Sequence, residues 1–112
     1  MKIPDAIKRR ELVEQKLDAG RALKLAEAYL AKDRVFEALA FLAKANARER
    51  LAEVRDEAVR NGDVFLLREA SVHLGEEPDA ETWRALAAAA AAAGKESYAQ
   101  EAQRQLAARE GS

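Results

Sequence analysis

Apolar side chains in this chain recur every three or four positions, with charged residues between them, and no stretch alternates residue by residue. That spacing belongs to helices with one buried face. In the first stretch Ile3, Ile7, Val13 and Leu17 fall at near-helical intervals, with Lys8, Arg9, Glu11 and Glu14 among them. The second places Leu23, Ala26 and Leu30 on one side and Leu25 and Tyr29 on an adjoining one; the third offers Val35, Phe36, Leu39 and Leu42. Leu51, Val54 and Ala58 follow, then Val64, Leu67, Ser71 and Leu74, then Trp83, Leu86 and Ala90, and finally Tyr98, Ala102 and Leu106. The expected breaks are Ala19-Gly20, Asp33, Asn46, Asn61-Gly62-Asp63, Gly75 to Asp79, and Gly94. They predict about seven short helices joined by tight turns. Isolated helices below about 12–15 residues are marginal in water, so these must be stabilised by stacking.

Two stretches share an internal pattern. Leu25-Ala26 is a large–small pair, with Tyr29 and then Ala38 downstream; Leu86-Ala87 is a second such pair, with Trp83 just before it and Gly94 and Ala99 after. The distance from the pair to the later small residue is the same in both copies, as expected of one helix–turn–helix unit used twice. Ala22-x2-Leu25-Ala26-x2-Tyr29 with Ala38-x3-Leu42, and Trp83-x2-Leu86-Ala87 with Gly94 and Ala99, resemble the tetratricopeptide repeat, a unit of about 34 residues. Ala22, Leu42, Ala90 and Gln103 depart from that pattern. A middle copy is degenerate, with Gly62-Asp63-Val64 at its turn, Pro78 at its exit, and Val54-Arg55 in place of the pair. The resemblance implies an all-α superhelix, a solenoid of about three helix pairs (19–46, 47–78 and 79–109) preceded by an N-terminal lid helix (1–18), together one helical-repeat domain over 1–112. Small residues such as Ala26, Ala38, Ala87 and Ala99 would sit where helices approach closely, and Tyr29, Leu42 and Trp83 would fill the space between pairs.

Composition narrows the function more than the fold. Nineteen basic residues against twenty acidic ones leave no global attraction to nucleic acid or membrane. The 112 residues contain no cysteine, hence no disulfide framework and no thiolate. Met1-Lys2-Ile3-Pro4-Asp5 lacks the apolar run of a secretory signal, and Ala87 to Ala93 is far shorter than the roughly 20 residues that cross a bilayer. A soluble, cytoplasmic protein is the expectation, without membrane or nucleic-acid partners.

Candidates for chemistry are few. His73 is the only histidine, too isolated for a metal site or triad. Glu76-Glu77 and Asp56-Glu57 would attract a cation but lack the alternating oxygens of a calcium loop. Lys8-Arg9-Arg10 puts three charges on one turn with no aromatic platform beside it, which suits few phosphates. These features favour a non-catalytic interaction module or assembly adaptor with no cofactor and no metal, binding a protein or peptide of unidentified nature. In the family it resembles, the first helix of each pair lines the concave surface. Carried over, this gives Leu23, Glu27 and Leu30, then Glu49, Ala52 and Asp56, then Arg84, Ala88 and Ala91 as partner-binding positions. The lysine–asparagine clamp that some members place there is missing, and an acid-lined groove with Arg84 at one end would prefer a basic or amphipathic peptide. The alternative is a structural protein that forms a homodimer through the alanine-rich helix.

Overall fold

Four aspartates start helices. Asp5, Asp18, Asp63 and Asp79 each stand in extended backbone just before a helix, and each carboxylate accepts the N–H three residues on: Lys8, Arg21 and Thr82 at 2.8 Å, Leu66 at 3.0 Å. This satisfies one of the donors that a helix leaves unpaired at its N-terminus. In the computed structural model, which describes residues 2–110, the helices are α1 (Ala6–Glu14), α2 (Ala19–Ala31), α3 (Val35–Lys44), α4 (Arg48–Asn61), α5 (Val64–Leu74), α6 (Ala80–Ala92) and α7 (Glu96–Glu110). The described residues are all-helical apart from turns and linkers.

Five helix ends share one closure. A residue with positive φ (Asp33, Asn46, Gly62, Gly75 or Gly94) donates its N–H to the carbonyl three back. The next N–H reaches the carbonyl five back, on Tyr29, Leu42, Ala58, Ser71 and Ala90 respectively. This is the Schellman-type closure, which pairs carbonyls that would otherwise end the helix unsatisfied. After Asp33, Asn46, Gly62 and Gly94 a single residue precedes the next helix; after Gly75 a linker of Glu76 to Asp79 intervenes. Ala19-Gly20, expected as a break, lies inside the first turn of α2, and the linker is 15–18. Capping by Asp18 decides this, because the first N–H groups of a helix need no helical partner and a glycine there loses little.

The chain divides into two compact units, residues 1–51 and 52–112. In the first, α2 and α3 pack together, burying Ala22, Leu25, Ala26, Tyr29, Ala38, Leu39, Phe41 and Leu42. Tyr29 and Phe41 stack with ring centroids 5.7 Å apart, and the guanidinium of Arg9 lies 5.6 and 5.7 Å from the two rings while donating through Nη2 to the Glu37 carbonyl at 2.8 Å. Burial raises the Tyr29 hydroxyl above its ordinary pKa, against the opposing charge of Arg9. Lys44 closes α1 by donating to the Gln15 carbonyl at 2.6 Å. The inner side of α1 is therefore Arg9, Leu12 and Val13: of the apolar set expected, Ile3, Val13 and Leu17 are half-buried but Ile7 is 76% exposed, and Leu12, outside that set, is buried. Phe36 likewise turns outward while Phe41, absent from the expected face, is fully buried.

The second unit has a core of Ala58, Val64, Leu67, Trp83, Leu86, Ala87, Ala90, Ala102 and Leu106. Gly62 is buried in it: a Cβ at that position would stand 2.5 Å from the Ala90 Cα, so the α4–α5 turn touches the backbone of α6. Lys95 covers the end of α4, donating to the Asn61 carbonyl at 2.7 Å. Phe65 and Tyr98 meet edge to face at 5.6 Å. No helix among the described residues is long and apolar enough to cross a membrane.

Candidate functional site

The one long linker in the second unit is held by two arginines. From α4, Arg55 donates through Nη1 to both oxygens of Glu76 at 3.0 and 2.8 Å, and through Nε to Asp56 at 3.0 Å. These bonds, that to Asp56 foremost, raise the guanidinium pKa further. From α7, Arg109 donates through Nε to the Pro78 carbonyl at 2.8 Å and through Nη2 to Glu77 at 3.0 Å, and its guanidinium lies 5.4 Å from the Trp83 ring centre. The linker is thereby tied to α4 on one side and α7 on the other.

Beside it lie two cavities. The larger, about 530 Å³, is bounded by Arg55 and Asp56 of α4, Ser71 of α5, the linker, and Thr82 and Ala85 of α6. Such a volume falls in the range of small-ligand sites. The smaller, about 250 Å³, has Ser71, Val72, Trp83, Gln105 and Arg109 in its walls. Ser71 and residues 76–78 belong to both. Ser71 is the polar residue buried outright among those described, and its Oγ has no hydrogen-bond partner; neither has Trp83 Nε1. Burying a polar atom without a partner in this way is costly. The hydroxyl also lacks the adjacent base that activates a nucleophile.

Of the positions expected to meet a partner, Asp56 borders the larger cavity. Arg84, Ala88 and Ala91 share an exposed side of α6 outside its lining, with Arg84 paired to Glu81 and Glu110, each at 2.8 Å. Leu23 and Glu27 border a groove of about 460 Å³ along α2, with Ala28, Ala31 and two lysines; Leu30 is half-buried outside that lining. Glu27 is paired with Arg50 at 2.9 Å, and Glu49 is exposed. The basic triplet is divided: Arg9 turns inward, while Lys8 and Arg10 pair along the helix with Glu11 and Glu14. His73 lies 3.5 Å from Glu69 one turn earlier. Among the described residues no three potential ligands gather for a metal ion.

The sequence put Ser71 on the inner face of its helix and named Glu76-Glu77 as acidic, but it gave no sign that both border one hollow. A serine in a row otherwise filled by valine and leucines was the available signal. Compared with protein-family models, curated proteins and solved structures, the chain matches none of them.

Proposed function

We propose that this chain is a non-catalytic, cytoplasmic protein-interaction module of tetratricopeptide-like type, receiving a basic or amphipathic peptide. The observation that carries the reading is the larger cavity of the second unit, whose lining includes five carboxylates, Asp56, Glu76, Glu77, Asp79 and Glu81, and one cation, Arg55, with Arg109 and Arg84 pairing Glu77 and Glu81 from outside that lining, which leaves an acidic excess. The repeat-like pattern supports it as well. Tyr29, Leu42 and Trp83 are buried, as are the small residues Ala26, Ala38 and Ala87, and one turn closure serves helix after helix. Repeats of this construction present surfaces rather than reaction centres.

A charge-balanced peptide array probed with the full chain tests the reading. Retention of basic sequences over acidic ones is the expected outcome; a preference for acidic ligands, or no retention, overturns it.

One observation favours a second reading, a homodimer formed through α6. Ala88, Ala91 and Ala92 are exposed on that helix, and small residues allow close approach of another helix. Light scattering over a concentration series separates the two: a tight dimer that Ala88→Glu dissociates supports self-association, and a monomer throughout removes it.

A further inference from the structure

We propose that the groove along α2 in the first unit receives an amphipathic helix of a partner protein, one that carries two carboxylates about two turns apart with leucine-sized side chains between them. This groove shares no residue with the cavity of the second unit, and its occupant goes beyond the function proposed there.

The groove, about 460 Å³, has an apolar floor. Leu23, Ala28 and Ala31 line it together with the stems of Lys24 and Lys32, and Leu23 is 39% exposed. Its charge is one-sided. Glu27, the one carboxylate of the lining, is taken by Arg50 at 2.9 Å, whereas the ammonium groups of Lys24 and Lys32 make no ion pair among the described residues. Arg21, one turn before Lys24, is exposed, and its guanidinium is likewise unpaired among the described residues. Asp33 follows Lys32 outside the lining and does not pair with it. The first unit as a whole carries twelve basic residues against eight acidic ones, so its wider field has the same sign.

An apolar floor with two free cations selects one kind of occupant. Lys24 and Lys32 stand eight residues apart, which is about 12 Å along the helix axis. Carboxylates seven or eight residues apart on a second helix span the same distance, and the side chains three and four positions after the first carboxylate face the floor between them. The small side chains of Ala28 and Ala31 let that helix approach closely. A fatty acid would bring one carboxylate to two ammonium groups. A phosphodiester backbone would leave Leu23 and the alanines facing water.

The test uses the full chain and the peptide Ac-Ala-Ala-Ala-Glu-Ala-Lys-Leu-Leu-Ala-Ala-Glu-Ala-Lys-Ala-Ala-amide, whose glutamates flank the leucines on one face and whose lysines lie opposite. A control peptide exchanges the glutamates and lysines, keeping composition and net charge. Binding is read by calorimetry and from the amide resonances of Leu23, Ala28 and Ala31. The first peptide should bind saturably and move those resonances, and the control should bind about tenfold more weakly, having lost two ion pairs and gained repulsion. Leu23→Glu should weaken the first peptide by about tenfold or more, since it puts a charge on the floor and sets it against the glutamates. Lys24→Gln and Lys32→Gln, both at exposed positions that leave the core untouched, should each weaken it by about threefold, an effect that salt at about 0.5 M removes. Equal binding of the two peptides, no saturable binding, or full binding by both lysine variants overturns the proposal. Tighter binding of phosphatidylglycerol vesicles or of a single-stranded oligonucleotide than of the peptide overturns it too. So does a dimer in light scattering that Leu23→Glu dissociates, because a second copy then fills the groove. The peptide has no net charge and its signals come from α2, so this groove and the cavity of the second unit stand or fall separately.

Discussion

The two units close their helices with the same pair of backbone hydrogen bonds but with different residues at the turn. The first uses Asp33 and Asn46 at positive φ, both exposed; the second uses Gly62, Gly75 and Gly94. The difference shows what makes a glycine obligatory. Positive φ alone admits an asparagine or aspartate at modest strain. A glycine is required where another backbone crowds the turn, and among these five positions that is Gly62 against Ala90. The units also share an arginine clamp: Arg9 over Tyr29 and Phe41, Arg109 over Trp83, each donating to a backbone carbonyl at 2.8 Å. In the first unit the guanidinium covers two stacked rings, while in the second it holds a linker beside two hollows.

The largest effect expected from this comparison is at Gly62. Gly62→Ala combines left-handed strain with a clash against the α6 backbone and should cost about 3 kcal/mol or more, lowering the melting temperature by more than about 10 °C. Gly94→Ala has a similar positive φ with nothing within 4 Å of its Cβ, and should cost only about 1–2 kcal/mol. Asn46→Gly, at an exposed turn, should stay within about 0.5 kcal/mol of the parent. Equal melting curves for the two alanine variants would break the distinction.

Next come the small residues that the repeat pattern makes equivalent. Ala38 is fully buried and Ala99 only half so. Ala38→Leu should overpack by about 1–3 kcal/mol, and Ala99→Leu by less, in denaturant titrations. A neutral Ala38→Leu would show that the two positions do not share a register.

The clamps follow in size. Arg9→Met should cost about 1–3 kcal/mol through its cation–π contacts and its part-buried backbone bond. Arg109→Met should cost less, since its unit keeps a separate buried core, yet it alone should shift the emission of Trp83. The smallest effect concerns acid. Thr82 lowers the Asp79 pKa, chiefly through its hydroxyl, so the folded state holds this proton less tightly than the unfolded state. The cap's contribution is complete above the ordinary aspartate range and is lost as pH falls through the lowered value. Asp79→Asn keeps an acceptor without the titration, and its melting temperature should fall less steeply with acid than that of the parent.

The helices were legible because their ends are written in single residues: Asp33, Asn46, Gly62, Gly75 and Gly94 each punctuate the chain where the backbone turns. Inner faces were legible in the fourth and fifth helices, where Leu51, Val54, Ala58, Val64, Leu67, Ser71 and Leu74 are all buried. The first helix misled because periodicity counts apolar side chains, and its inner face includes Arg9, whose charge is accepted over aromatic rings contributed by two later helices. Such long-range acceptance leaves no local mark. The hollow beside Ser71 was hidden for the same reason, since it arises where two arginines from α4 and α7 hold the same linker.

The uniform turns also set where the chain tolerates a change in length. One added residue rotates the continuing helix by about 100°, carrying its apolar stripe away from its neighbours. The turns at Asp33, Asn46, Gly62 and Gly94 have no slack to absorb that rotation. The segment 15–18 does, between the Gln15 carbonyl that Lys44 holds and the Asp18 cap, and a tag inserted there would leave the helices on either side in register, whereas 76–79 is tied down by Arg55 and Arg109.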